Sequence, residues 1–306
     1  MLSRVANQVY WLARYLERAE DSARMLNAYF HVVLDLPASV RLKWLDLIHI
    51  TGNWTLFESR YKRLDERNVM NFLLADTRNP GSVVSAISMA RENLRTTREI
   101  FPSEIWETLN GLFRYSLENA SSAIARRNRY GFLREVIGEC QLIYGVLSGS
   151  MSRDAVYRFL TLGFNIERID MTTRILDVGV ATINSQSDIS DRMKDALWLS
   201  IVKAVNAEQM FRRRRLAVSA ETAIEFMLHD EHFPRAISRC LEAIDTSFKS
   251  LPRNRGPRNA LRKFYREVDA VQVDELFTSE ITERLDWLQL ELAVVHERIA
   301  KTWFRL

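Results

Sequence analysis

From Leu2 to Phe30 the chain sets apolar side chains at Leu2, Val5, Val9, Leu12, Leu16, Ala19, Ala23, Leu26 and Phe30, in steps of three and four. At 3.6 residues per turn that spacing predicts an amphipathic helix of about eight turns, ended before Pro37. The same periodicity predicts helices over 38–50, 53–62, 66–75, 82–100, 104–127, 131–149, 153–183, 191–213, 220–229, 234–250, 258–271 and 279–304. Breaks fall at "TGN", "TRNPGS", "FPS", "RNRYG", "SQSDIS", "HFP" and "LPRNRGP". Ser103 and Ser152 read as N-caps, and Pro80 and Pro234 stand at or near helix starts. No segment sustains period-two alternation, so no sheet is expected. The predicted fold is an all-α bundle of about twelve helices.

The pattern repeats. "LERAEDSARML" (Leu16–Leu26) is rewritten as "IERIDMTTRIL" (Ile166–Leu176), matching Glu17/Glu167, Arg18/Arg168, Glu20/Asp170, Arg24/Arg174 and Leu26/Leu176. Further on, "FLLADTRNPGSV" (Phe72–Val83) aligns with "FMLHDEHFPRAI" (Phe226–Ile237) at an offset of 154. Phe72/Phe226, Leu74/Leu228, Asp76/Asp230, Pro80/Pro234 and Val83/Ile237 agree, and the same offset sets Trp44 on Trp198, Phe57 on Phe211 and Arg60 on Arg214. The match fades after Ala90. The expectation is a tandem duplication, 1–150 and 151–306, packed as one compact unit in a pseudo-twofold relation, because no linker is visible.

On a helical wheel the repeated charges gather on one shoulder of the apolar stripe. Measured from Leu16, Glu20 falls at about 40°, Arg24 at about 80° and Glu17 at about 100°, and Asp170, Arg174 and Glu167 share those angles. Ala13 and Gly163, both small, lie beside them, where a neighbour can approach closely. Arg18 and Arg168 point to the far side. Each Glu/Asp–Arg pair is spaced i,i+4 with the acid first, the better orientation. Exposed, such a pair contributes about 0.3–0.5 kcal/mol; at a buried seam, losing one partner costs roughly 3–5 kcal/mol. Two readings stand: a buried salt-bridge network registering the two halves, or a polar pocket in which the arginines hold carboxylates and the acids an amine.

Composition narrows the setting. Ten glycines and six prolines in 306 residues are sparse punctuation, in keeping with long helices and short connections. Two cysteines form no disulfide framework, and no stretch nears the roughly 18 apolar residues of a membrane span. With Arg4 following at once and no apolar leader pattern, the expected location is the cytoplasm. The net charge of +4 is unevenly spread: Ala204–Arg266 holds thirteen Lys/Arg against seven Asp/Glu, including Arg212–Arg215 and "PRNRGPRNALRK". A face that positive attracts anions. Arg60, Arg212, Arg214 and Arg215 are the candidate anion-binding residues, with Arg60 and Arg214 the duplicated pair. The competing reading is a solvated basic helix end, favourable to the C-terminal dipole.

Most familiar chemistries are missing from the string. There is no Walker-type loop, and Ser148 of "GVLSG" is one place late for a nucleophile elbow. The Glu-x-x-His pairs of a di-metal bundle are absent, and His229 and His232 stand in what reads as a helix end, so no metal site is expected. Cys140 and Cys240 read as packing residues. No nucleic-acid module or aromatic-interleaved basic stripe is recognised.

The two openings, "MLSRVANQVYWLARYLERAEDSARML" and "SRDAVYRFLTLGFNIERIDMTTRILD", together with "ARENLRTTREIFPSEIWETLN", "FRRRR" and "FPRAI", resemble the bacterial alpha-E proteins over nearly the whole chain. Phe164 and Asn165 depart from the family's usual residues. The resemblance implies an all-helical protein found beside, and sometimes fused to, a circularly permuted ATP-grasp ligase, often near transglutaminase-like proteins and in some gene sets the peptidase Anbu. The expected function is therefore a non-catalytic or co-catalytic subunit that binds such a ligase, its small peptide or amino-acid substrate, or both. ATP and magnesium would sit on the ligase, and no cofactor is expected on this chain. The expected polar cluster is Glu17, Arg18, Glu20, Arg24, Glu167, Arg168, Asp170 and Arg174, with Arg91 and Glu92 near it. Alternatives are an enzyme of acyl or amide transfer using Glu17 or Glu167 as general base, and a purely structural, homodimer-forming scaffold.

Overall fold

A computed structural model describes residues 3–35, 43–184, 190–215, 217–271 and 280–304. Among these, fourteen α-helices follow one another and no strand occurs. The first seven are α1 (Ser3–Asp35), α2 (Trp44–Ile50), α3 (Trp54–Arg60), α4 (Glu66–Met70), α5 (Val83–Arg95), α6 (Ser103–Asn119) and α7 (Arg126–Ser150). The second seven are α8 (Ala155–Asn184), α9 (Asp191–Ala204), α10 (Glu208–Arg213), α11 (Ala220–His229), α12 (Ile237–Lys249), α13 (Arg255–Asp269) and α14 (Glu280–Trp303). The two series run in the same order. α3 and α10, α4 and α11, α5 and α12, and α7 and α14 all start 154 residues apart. The correspondence of elements therefore continues through the last third of each series, where the sequence match has faded.

Most expected helices are found within a few residues of their anticipated ends, although 38–42 and 279 lie outside the described residues. Three expectations are corrected. The helix expected over 104–127 ends at Asn119, and the expected break at "RNRYG" lies inside α7, which already begins at Arg126. The stretch 191–213 is two helices, because Asn206 takes a left-handed backbone (φ 58°) between α9 and α10. Asparagine tolerates that region, so the chain turns without the Gly or Pro that would have announced the break. The helix caps also shift: Ser103 is the first residue of α6, after Pro102. Asp154, not Ser152, caps α8, its Oδ1 accepting from the backbone of Val156 (2.9 Å) and Tyr157 (3.2 Å). In unit 1 the helix begun by α4 continues as a π-helical turn, Asn71–Ala75, whereas α11 is regular throughout.

The chain divides into two compact units, one of residues 1–27 and 43–164, the other of 28–42 and 165–306. One division between the units falls inside α8, after Phe164, and a second inside α1, after Asn27. In unit 1, α5 packs on α6 and α6 on α7, around Phe57, Phe72, Leu109 and Val136, all buried. In unit 2, α12 packs on α13 and α13 on α14, around Phe211, Phe248, Leu261 and Phe264. The apolar faces explain these choices: α13 buries Pro257, Leu261, Phe264 and Val268 and leaves its arginines outside.

α1 and α8 are different. Between Leu12 and Ala23, and again between Phe159 and Thr173, nearly every residue is buried, charged ones included. The closest approach within unit 1 explains the small residues there. A Cβ at Gly163 would stand 2.3 Å from the carbonyl oxygen of Tyr10 and 2.8 Å from the Cβ of Ala13. Backbone lies against backbone. Gly163→Ala is therefore expected to destabilise the protein by about 1–3 kcal/mol through overpacking. Gly138→Ala, in the exposed middle of α7 with nothing within 4 Å, is expected to stabilise by about 0.5–1 kcal/mol. Urea unfolding of the two variants checks both signs.

Candidate functional site

In unit 1, α1 carries Glu17 (1% exposed), Glu20 and Asp21 inside. Arg24 Nε donates to Glu20 Oε1 at 2.8 Å, one turn on, with only 11% of the arginine side chain exposed. Cys140 of α7 lies within electrostatic reach of this group. Burial first, then the charges of Glu20 and Glu17, hold its thiol well above the ordinary range. A thiol so placed stays protonated and serves as packing.

In unit 2, α8 repeats the motif with Glu167 (1% exposed) and Asp170, and Arg174 Nε donates to Asp170 Oδ1 at 2.9 Å. This second pair is wetter, with 30% of the Arg174 side chain exposed. Arg168 is buried rather than turned outward, and Arg18 is half-buried, 5.6 Å above the Tyr15 ring. The wheel misplaced Arg168 because it assumed one wet face, and α8 has almost none over this stretch.

One turn beyond Arg174 stands Asp177, which the motif comparison did not single out; its counterpart in α1 is Asn27. Burial pushes its carboxyl up to about 6, the charge of Asp286 on α14 adds to the rise, and Arg174 opposes it. Its Oδ1 is buried with no hydrogen-bond partner among the described residues. A carboxyl raised that far can exchange a proton near neutrality.

Arg214 and Arg60 each lie against an aspartate of their own unit. Arg214 donates to Asp230 Oδ2, and Arg60 lies 4.0 Å from Asp76 Oδ2. Each aspartate ties down the turn that follows it. Asp230 Oδ1 accepts from the backbone of His232 (2.8 Å) and Phe233 (2.7 Å), and Asp76 Oδ1 from that of Arg78 (3.0 Å). Tyr61 adds a hydroxyl to Asp76 at 2.9 Å. Although burial opposes it, these donors lower both carboxyls below the ordinary aspartate value. Beside each knot two phenylalanines meet edge to face, Phe57 with Phe72 at 5.2 Å and Phe211 with Phe226 at 5.4 Å. The sequence carried the signal, since Asp76/Asp230 recur at the same offset as Arg60/Arg214. Acid and base were simply not read as partners.

Of the other expected residues, Arg212 is bound to Glu208 (3.0 Å), and Arg215 is exposed with a left-handed backbone at φ 56°. Arg91 reaches from α5 to α6, donating to Asn110 Oδ1 at 2.6 Å with its guanidinium over the rings of Trp106 and Phe113. Glu92 is exposed on Arg95. These contacts of Arg91 and Glu92 are made on α5 and α6. Among the described residues no group of three or more His, Cys, Asp or Glu is arranged to hold a metal ion, and no helix is long and apolar enough to cross a membrane.

The fold and these clusters define an all-α domain with Glu–Arg dipeptides, Glu17–Arg18 and Glu167–Arg168, at matched places on two long, largely buried helices. The chain belongs to the Alpha-E family, described as a predicted alpha-helical domain with a conserved ER motif, whose profile matches residues 1–304. Uncharacterized proteins of Mycobacterium bovis and of two strains of Mycobacterium tuberculosis are each 25% identical to it over 338 aligned positions. The alignment takes in 99% of this chain and 37% of theirs, so the chain spans little more than a third of the length of those relatives. No solved structure matches it significantly.

The carboxyls set two opposite pH limbs. Asp76 and Asp230 are lowered in the folded state, so their contribution is present above the unfolded value near 4 and is lost as pH falls below it. Asp177 is raised, so the folded state holds its proton more tightly, and stability declines as pH rises from about 4 through 6. Asp177→Asn is expected to flatten that decline and raise stability at pH 8 by on the order of 1 kcal/mol. Asp230→Asn is expected to weaken the acid limb and cost about 1–3 kcal/mol at pH 7. Denaturant unfolding at a series of pH values reads both.

Proposed function

We propose that this chain is a helical partner subunit of an ATP-grasp-type peptide ligase or amidoligase, working in the cytoplasm by binding the ligase, its peptide or amino-acid substrate, or both. The observation that carries the reading is the place of the recurrent charges. Glu17, Glu20 and Glu167 are buried, and Glu20 and Asp170 are held by arginines one turn away. Each of these two carboxylates spends a lone pair on its arginine, which suits it to holding the shape of the helix surface. The circularly permuted ATP-grasp ligase supplies ATP, magnesium and the bond-forming step, and transglutaminase-like proteins and Anbu are further neighbours. The mycobacterial relatives support a partnered role, since there the matched region is part of a much longer chain. The parallel helix order and the two Arg–Asp knots likewise support descent by tandem duplication.

A second reading has one observation in its favour. Asp177, at about 6, is tuned as a general base is, so acyl or amide transfer by this chain would run through Asp177 rather than Glu17 or Glu167.

Co-expression with the neighbouring ATP-grasp protein separates the two. The partner reading expects a complex on size exclusion and faster ATP-dependent ligation when this chain is added. Absence of both, with amino-acid ligation by this chain alone that Asp177→Asn abolishes, would replace it with the enzymatic reading.

A further inference from the structure

Unit 2 has a groove that none of the expected residues lines. One part, about 780 Å³, lies between α12 and α13, and an adjoining part of about 580 Å³ extends toward the turn before α12. Glu242 and Tyr265 belong to both parts, so the two are continuous. The ends differ in sign. At one end α13 presents Arg258, Arg262 and Arg266, spaced four apart and so on one face of the helix. Arg258 is taken by Asp245 at 3.1 Å, whereas Arg262 and Arg266 are exposed and have no ion partner among the described residues. At the other end Arg239 is ion-paired with Glu242, and Glu231 is exposed and without an ion partner among the described residues, so the charge left over there is negative. Between them the Tyr265 phenol is raised by burial and then by the charges of Asp269, Glu242 and Glu231, which places those acids around it.

In unit 1 the seam between α5 and α6 is closed by a side chain. Asp245 of α12 stands 154 positions after Arg91 of α5. Arg91 crosses to α6 and settles over Trp106 and Phe113, bonded to Asn110. In unit 2 the shorter aspartate crosses to Arg258 instead, and a groove stands between the helices.

With Arg258 paired to Asp245 and Glu242 to Arg239, a lone anion would leave Glu231 unanswered, and a lone cation would leave Arg262 and Arg266 so. A molecule with a carboxylate at one end and an ammonium at the other answers both. We propose that the groove between α12 and α13 binds a short free peptide, its carboxylate on Arg262 and Arg266 and its ammonium on Glu231, beside the Tyr265 hydroxyl and the Arg239-paired Glu242. Paired N–H donors suit a carboxylate, and the volume is that of an ordinary small-ligand site. The assignment rests on the reading of this chain as a substrate-binding partner, but it needs no ligase for its test.

The test is titration of the isolated full chain with trialanine, trialanine amide, N-acetyl-trialanine and inorganic phosphate, read by calorimetry and by NMR. Saturable trialanine binding is expected, weakened at least about tenfold by amidation and by acetylation alike. The double variant Arg262→Ala/Arg266→Ala is expected to lose trialanine binding while melting at the wild-type temperature, since both side chains are exposed. Glu231→Gln is expected to weaken trialanine and leave the acetylated peptide unaffected. Equal binding of all three peptides, phosphate binding with the same arginine dependence, or no saturable binding would each overturn the assignment. A ligase complex formed by a chain that fails to bind trialanine sinks this inference alone; trialanine binding without a complex sinks the partnership instead.

Discussion

A carboxylate taken out of water must be met by donors or yield its charge, and that constraint runs through every polar feature of this protein. Glu20 and Asp170 are met by arginines from their own helices. Asp76 and Asp230 are met by backbone N–H groups and by Arg60 or Arg214, and in return they fix the turns that launch α5 and α12. Asp177 is met least well and accordingly holds its proton to about 6. Removing a partner from such a carboxylate costs more than the pair contributes, because the remaining charge is stranded. The charged residues inside α1 and α8 therefore act as constraints on packing at least as much as sources of stability.

The helices were legible because their signal is local. Sparse Gly and Pro, long runs at period three and four, and the return of the same letters 150 to 154 positions later gave the all-α class and most helix ends. What escaped was whatever depends on neighbours distant in sequence. The wheel treated α8 as a surface helix, so Arg168 was turned outward, whereas burial on nearly all sides left it inside. The break at Asn206 carried no Gly or Pro. Asp177 had no repeat to flag it, and its raised proton affinity comes from burial and then from the charge of Asp286, more than a hundred residues later. Ala13 and Gly163 were noticed as small; that each is the other's reason for being small needed coordinates.

The two series of helices also differ where chemistry could most easily have been gained. The α5–α6 seam is closed by an arginine lying on aromatic rings, and the α12–α13 seam is held by an Asp–Arg pair with two further arginines left over. Similarly, Asn71–Ala75 takes a π turn where α11 stays regular, and there Asn71 supports the Tyr61 hydroxyl that reaches Asp76. The helices of the two series follow in the same order, and the side chains at their seams differ.

The divisions inside α1 and α8 bear on how such a chain is inherited and made. Neither half of the gene encodes a self-sufficient body: a product stopped at Ser150 would lack Ala155–Phe164, which belong to the first unit, and the remainder would lack Ala28–Asp35, which belong to the second. A ribosome must therefore finish well into α8 before the first unit owns all its parts, and recombination that exchanged the halves at the 150/151 seam would orphan two helix segments at once.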